Sequence, residues 1–216
     1  WAISNHDVER VLTRWGKGRS SASLANLLTA MVCSLRGSVC VYQGEELGLT
    51  EAELPFEALQ DPYGIAFWPQ FKGRDGCRTP MPWSDDAAHA GFSHGTPWLP
   101  VPEEHRELAV SRQDGDPHSV LNGFRTFMHW RQSRPAMRWG DIAFIDTVEP
   151  VLAFTRHLAE RTVLVVFNLG DAPVGIDLPD ELARLHPLEG HGLLSGSLEG
   201  SRLQLPGYGA WFAGVA

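Results

Sequence analysis

Trp1-Ala-Ile-Ser-Asn-His-Asp7 and, one helix later, Ser38-Val-Cys-Val-Tyr-Gln-Gly-Glu-Glu46 are the stretches whose reading decides the fold. Each begins as a short apolar run and stops at a cluster of polar residues, as a buried strand does when it emerges at a sheet edge. Between them, after a turn at Gly16 and Gly18, Ser20 or Ser21 can cap a helix. Its apolar residues Leu24, Leu27, Leu28, Met31 and Leu35 recur at helical spacing, and Gly37 is its stop. Strand, helix, strand is a βαβ unit, which implies parallel strands joined by right-handed crossovers.

Working outward, residues 43–115 are rich in Pro, Gly, Trp and acidic side chains without sustained periodicity. A connection that long is usually functional. Asp116-Pro117 supplies an N-cap and a first-turn proline for a helix carrying Val120, Phe124, Met128 and Arg131, which must end before Pro135. Beyond Gly140 the pattern changes to short strands, at 142–145, 151–155, 162–167, 174–178, 202–205 and 210–213, with turns at Asn168-Leu-Gly170 and Pro206-Gly207. The expected organisation is an α/β part over residues 1–138 and a small antiparallel, sandwich-like β domain over 139–216. No internal repeat or low-complexity tract is present.

The 216 residues carry 26 Asp+Glu against 18 Lys+Arg, a formal net charge of −8, with 43% hydrophobic residues. That content can build a core, and the absence of a basic cluster argues against a nucleic-acid partner. Cys33, Cys40 and Cys77 have neither disulfide-framework nor zinc spacing and read as reduced thiols. No window approaches a membrane span, so no membrane partner is expected. Eight Trp among 216 residues is a high share; sugar clefts use such rings as platforms, and cores and loops use them as anchors.

Asn5-His6-Asp7, at the C-terminal end of a parallel strand, stands where (β/α) barrels project catalytic groups. An Asp there can stabilise a developing cation and a neutral His can bond hydroxyls; read alone, a turn or helix cap carries more weight. Arg10 and Arg14 read as surface or ion-pair residues. In the second cluster, Phe71-Lys-Gly-Arg-Asp-Gly-Cys-Arg-Thr-Pro-Met-Pro-Trp83, Arg74 and Arg78 offer planar donor forks suited to a cleft wall, and a structural Arg74–Asp75 pair is the equal alternative. Adjacent Glu45 and Glu46 point apart, and Asp85-Asp86 reads as a solvated loop.

The strings Ser4-Asn-His-Asp7, Val41-Tyr-Gln-Gly-Glu-Glu46-Leu-Gly48 and Gly73-Arg-Asp-Gly-Cys-Arg-Thr-Pro-Met-Pro-Trp83, in this order and spacing, resemble the C-terminal half of an α-glucosidase. The likeness is to glycoside hydrolase family 13 of the α-amylase superfamily, near its oligo-1,6-glucosidase and maltase branch. The β domain resembles that family's C-terminal domain in position and pattern only.

The resemblance implies an α/β fold: the last two strands of a (β/α)8 TIM barrel, Trp1–Ser4 and Ser38–Tyr42, followed by the β domain. Asp7 is implied as the catalytic transition-state stabiliser and His6 as a ligand of glucose-ring hydroxyls. Arg74 and Arg78 are implied as substrate-binding, one of them pairing with an upstream Asp to close an exo-type pocket. Asn5, Tyr42, Gln43, Gly44 and Glu46 are implied to shape the site. Gly76-Cys77 and Pro82 depart from the branch's usual Asn-Ala and Gln, as in a proteobacterial-type subgroup. The nucleophilic Asp and acid/base Glu are expected upstream of Trp1, as is the calcium ion some members bind, and no metal or cofactor is expected in this chain. The partners implied are an oligosaccharide or α-glucoside substrate and the missing N-terminal part, without which this chain is expected neither to fold nor to act. The location implied is bacterial, cytoplasmic or periplasmic. Sister activities stay open, namely sucrose isomerisation, trehalose synthesis and glucan synthesis, as does an inert relative.

Overall fold

Ser21 starts the first long helix as the sequence indicates, its Oγ accepting from the Leu24 N–H at 3.2 Å in a computed structural model that describes residues 1–184 and 186–214. The helices are α1 (Val11–Gly16), α2 (Ala22–Ser34), α3 (Pro62–Ala66), α4 (Glu103–Arg106), α5 (Val110–Gln113), α6 (Val120–Gln132), α7 (Pro135–Trp139) and α8 (Asp180–Ala183). The strands are β1 (Asp141–Ile145), β2 (Val151–Leu158), β3 (Arg161–Asn168), β4 (Val174–Asp177), β5 (His186–Pro187), β6 (Ser197–Glu199), β7 (Arg202–Leu205) and β8 (Ala210–Gly214). The chain divides into two compact units, one of Ala2–Ala25 and Cys40–Asn122, the other of Trp1, Asn26–Val39 and Gly123–Ala216.

In the second unit, strands run in the order β1-β2-β3-β8-β5 and, in a smaller sheet, β4-β7-β6, all paired antiparallel. Register alternation sorts the core. Leu164 and Val166 lie opposite Ala213 and Trp211 and pack with Leu178, Leu203 and Leu205 of the smaller-sheet side. Val165 and Phe167 face the other way, where Phe212 meets Trp130 of α6 at 4.6 Å between ring centroids. A sheet buried on both faces explains why 163–167 is an unbroken apolar run. Asn168, fully buried, ties two turns by donating to the carbonyls of Ala172 (2.8 Å) and Pro206 (2.9 Å) while its Oδ1 accepts from Gly170 N–H.

The first unit has little regular structure but owns two apolar clusters, Ala52, Leu54, Leu59 and Leu99 with Trp68, and Leu47, Leu49 and Leu121 with Met81, Leu108 and Val110. Gln113 bridges its segments, donating to the Leu47 and Leu108 carbonyls and accepting from the Leu121 N–H.

Three local expectations are corrected. Trp1–Ser4 and Ser38–Tyr42 form no strand: the Trp1 backbone nitrogen donates to the Ser38 carbonyl at 2.6 Å, but no ladder follows, since a parallel strand needs sheet neighbours and every strand pair described here is antiparallel. Helix α6 begins at Val120 rather than 117. Ser119 caps it, accepting from the Asn122 N–H, while Asp116 accepts from the His118 N–H in a preceding turn. Asp85 is not merely solvated: it accepts from Ser111 Oγ (2.6 Å) and Arg112 Nε (2.8 Å), and these bonds hold its carboxyl below the usual carboxylate range.

Candidate active site

Asn5 makes the turn that the motif's polarity suggests. Its Oδ1 accepts from the Asp7 N–H at 2.8 Å, and Ser4 Oγ accepts from the Val11 N–H, anchoring the start of α1 behind it. His6 and Asp7 are thereby presented outward, their side chains 69% and 51% exposed, with His6 Nε2 3.4 Å from Asp7 Oδ2.

Both expected arginines converge on the other oxygen of Asp7. Arg74 Nη1 donates to Oδ1 at 3.0 Å and Arg78 Nη2 at 3.1 Å, while Arg78 Nε donates to the His6 carbonyl at 2.7 Å. One 3₁₀ turn, Asp75–Cys77, sets the two arginines on the same side. The expected Arg74–Asp75 pair does not form. Asp75 Oδ2 instead accepts from the backbone N–H groups of Gln60 and Asp61, and the carboxylate that meets Arg74 is Asp61. Arg74 Nε donates to Asp61 Oδ2 at 2.8 Å and Nη2 to Oδ1 at 3.1 Å, a bidentate fork. This guanidinium holds the buried Asp61 carboxyl down at about 2 against the opposing effect of burial, and Asp61 raises the Arg74 pKa in turn.

Tyr42, Gln43, Gly44 and Glu46 lie behind this surface. Tyr42 Oη donates to the Cys77 carbonyl at 2.9 Å and Gln43 Nε2 reaches the Thr79 carbonyl at 3.4 Å, so the motif props the arginine turn. Burial raises the Tyr42 phenol. Glu46 Oε2 accepts from the Gly44 N–H. Gly44 has φ +91°, and a Cβ there would stand 2.6 Å from Arg10 Nη1 and from Leu49 Cδ1. Gly76 is demanded by proximity: a Cβ would fall 2.4 Å from Glu51 Oε1 and 2.6 Å from the Ala52 carbonyl oxygen.

Arg10 is not the surface residue its charge suggests. It is buried, donating from Nη1 to the Gln43 carbonyl at 2.7 Å with its guanidinium 5.5 Å from the Tyr42 ring centre. Its backbone N–H is accepted by Glu51, whose carboxyl burial pushes up to about 7. His105, also buried, spans two segments, with Nε2 2.8 Å from the Thr50 carbonyl oxygen and Nδ1 3.1 Å from Thr79 Oγ1. An Nε2 facing a carbonyl must carry the proton, so Nδ1 accepts from the Thr79 hydroxyl. Sequence reasoning missed Asp61, Glu51 and His105; only Asp61 carried a signal, as the N-cap before a first-turn proline.

The carboxylates of Asp7, Asp61 and Asp75 are turned toward arginines or backbone donors, a set unsuited to a cation. Among the described residues no group of three or more His, Cys, Asp or Glu side chains is placed to hold a metal ion, and no helix is long and apolar enough to cross a membrane.

Residues 1–140 match the alpha-amylase catalytic domain and residues 151–211 the C-terminal domain of the alpha-amylase SusG. A "probable alpha-glucosidase" of Rhizobium meliloti is 49% identical over all of this chain, which spans 39% of that protein's length. The oligo-1,6-glucosidase of Parageobacillus thermoglucosidasius is 30% identical across 83% of the chain and 35% of its own length. Among solved structures, the alpha-glucosyl transfer enzyme XgtA superposes with a TM-score of 0.94 at 53% identity, matching all of this chain and 40% of its own. The trehalulose synthase MutB from Pseudomonas mesoacidophila MX-45 does so at 0.81 and 26%, with all of this chain covered and 43% of that one. A portion of a TIM-barrel catalytic domain followed by a small antiparallel β domain is therefore what these residues build, and the chain belongs to the α-amylase catalytic-domain family, glycoside hydrolase family 13.

Proposed function

We propose that this chain supplies part of the −1 glucose site of an exo-acting, retaining α-glucosidase that removes, and also transfers, terminal α-linked glucose. The observation that carries it is the geometry of Asp7. Two arginines hold Oδ1, while Oδ2 and the His6 ring form an exposed pair suited to ring hydroxyls. In a retaining glycosidase one carboxylate attacks the anomeric carbon while a second carboxylic acid protonates the departing oxygen; water or a sugar hydroxyl, deprotonated by that second group, then releases the glucose. Those two groups are proposed to lie in the portion preceding Trp1, with any calcium ion, and no cofactor is proposed for the residues here. Asp7 would bind hydroxyls and stabilise the oxocarbenium-like transition state. Arg74 and Arg78 would wall the pocket, with Asn5, Tyr42, Gln43, Gly44 and Glu46 shaping it. The boundary between the barrel portion and the β domain is proposed at 138/139.

Transfer is included because the 53%-identical structure is described as an alpha-glucosyl transfer enzyme. Product analysis on maltose with and without an added acceptor alcohol separates hydrolysis from transfer. The main test is Asp7→Asn in the complete enzyme: kcat/KM on a nitrophenyl α-glucoside is expected to fall by well over about tenfold, each tenfold being about 1.4 kcal/mol of transition-state binding. A smaller loss would sink the role.

A further inference from the structure

We infer that Asp61 is a positioning residue for this site: it locks Arg74 so that Nη1 pins Asp7 Oδ1 and leaves Oδ2 as the oxygen offered to substrate. The inference rests on the reading of Asp7 given above. Asp61 accepts four hydrogen bonds within one buried carboxylate, from Arg74 Nε and backbone N–H on Oδ2 (both 2.8 Å) and from Arg74 Nη2 (3.1 Å) and the Tyr63 N–H (3.2 Å) on Oδ1. Asp61 is itself fixed, since its backbone N–H donates to Asp75 at 2.8 Å.

The segments carrying Asp61 and Arg74 close on each other through glycine. A Cβ on Gly64 would stand 2.6 Å from the Lys72 carbonyl oxygen, and one on Gly73, at φ +78°, 2.8 Å from Gly64 Cα. With Nε and Nη2 committed to Asp61 and one face 5.6 Å from the Tyr63 ring centre, the guanidinium has no freedom to rotate away from Asp7. A rigid fork that receives its own counter-charge on one edge can hold a second carboxylate on the other in a single orientation.

The test uses the complete enzyme with Asp61→Asn and Arg74→Gln, each compared with Asp7→Asn. If Asp61 acts through Asp7, both variants lower kcat at least about tenfold, and Asp61→Asn, which leaves the pocket wall in place, changes KM less than about threefold, because an interaction strengthened in the transition state is lost. Inhibition by a cationic iminosugar should weaken in parallel with kcat, whereas inhibition by glucose should not, a split that general loosening of the loop would not produce. The double variant Asp61→Asn/Arg74→Gln should be no worse than the more damaged single one. Unchanged kcat in Asp61→Asn, whatever Arg74→Gln does, equal weakening of both inhibitors, or additive losses would overturn the inference. A harmless Asp7→Asn would overturn the underlying reading, whereas a crippling Asp7→Asn beside harmless Asp61→Asn and Arg74→Gln overturns only the positioning role. If Asp61→Asn fails to fold, Arg74→Lys decides instead: it keeps a cation beside Asp7 but cannot form the two-armed fork to Asp61, so an unchanged kcat would overturn the inference.

Discussion

Arg156 in the β unit and Arg10 in the loop-rich unit are both buried, 0% and 2% exposed, yet their surroundings differ. Arg156 donates to three backbone carbonyls, Ser34 at 2.6 Å and Met137 at 3.0 Å from Nη1 and Gly140 at 2.8 Å from Nη2. Arg10 donates from its side chain to one carbonyl and lies against a tyrosine ring; its Nε and Nη2 meet no acceptor among the described residues, against Nε alone in Arg156. Burial lowers the pKa of both guanidiniums. In the β unit the cation closes the chain ends α2 and α7 onto a sheet already fixed by strand pairing. In the loop-rich unit polar groups have to organise segments that no ladder holds, and their pairing is less complete.

The sharpest way to break this comparison is to replace each arginine by methionine. Arg156→Met leaves three buried carbonyls without their donor and is expected to cost about 4 kcal/mol in urea unfolding of the complete enzyme. Arg10→Met removes an incompletely paired charge together with one bond and is expected to cost about 1 kcal/mol. Equal losses would show that the two cations are equivalent. Next in size, Leu164→Ala, at a fully buried position between the sheets, should cost about 3 kcal/mol by cavity formation.

The two units should also titrate with opposite slopes. Burial pushes the Glu51 carboxyl from 4.5 up to about 7, so between those values the folded state holds the proton more tightly, and stability present at acid pH is lost as pH rises toward 7. Burial, aided by Arg134, pushes the His191 imidazole from 6.5 down to about 4, so stability present above 6.5 is lost as pH falls toward 4. Hydrogen exchange followed separately in the two units should show the crossing trends, with Glu51→Gln flattening one and His191→Gln the other. The smallest effect concerns the α6 cap: Ser119→Ala should cost about 1 kcal/mol, and Asp116→Ala less, since Asp116 caps only the preceding turn.

The same contrast decides what the sequence could tell. Strands β1 to β4, β7 and β8 were legible because alternation, or unbroken apolar runs in a doubly covered sheet, marks them. The two- and three-residue strands β5 and β6 are too short to carry a period. Trp1–Ser4 has the composition of a strand, but composition cannot supply a neighbour. In the loop-rich unit the motifs announced Asp7, Arg74 and Arg78, and the structure brings those three together. The carboxylate that meets Arg74 could not be foreseen, because Asp61 reaches it across an aperiodic stretch and Asp75, its immediate neighbour, is occupied by backbone donors. Arg10 was misread because charge suggests solvent, whereas its burial comes from Tyr42 and Gln43 folding over it.

The single turn between the two arginines works as a ruler. Surface loops ordinarily absorb insertions and deletions at little cost, and the 93–98 stretch, where Gly95 has open space around it, is of that kind. The span from Asp61 to Arg78 is tied down at its two ends, where hydrogen bonds and glycine contacts join residues 61–64 to residues 72–75. One residue added or removed between Gly73 and Arg78 would swing Arg78 off Asp7, so length variation among homologous chains should be concentrated outside that short stretch, in exposed segments.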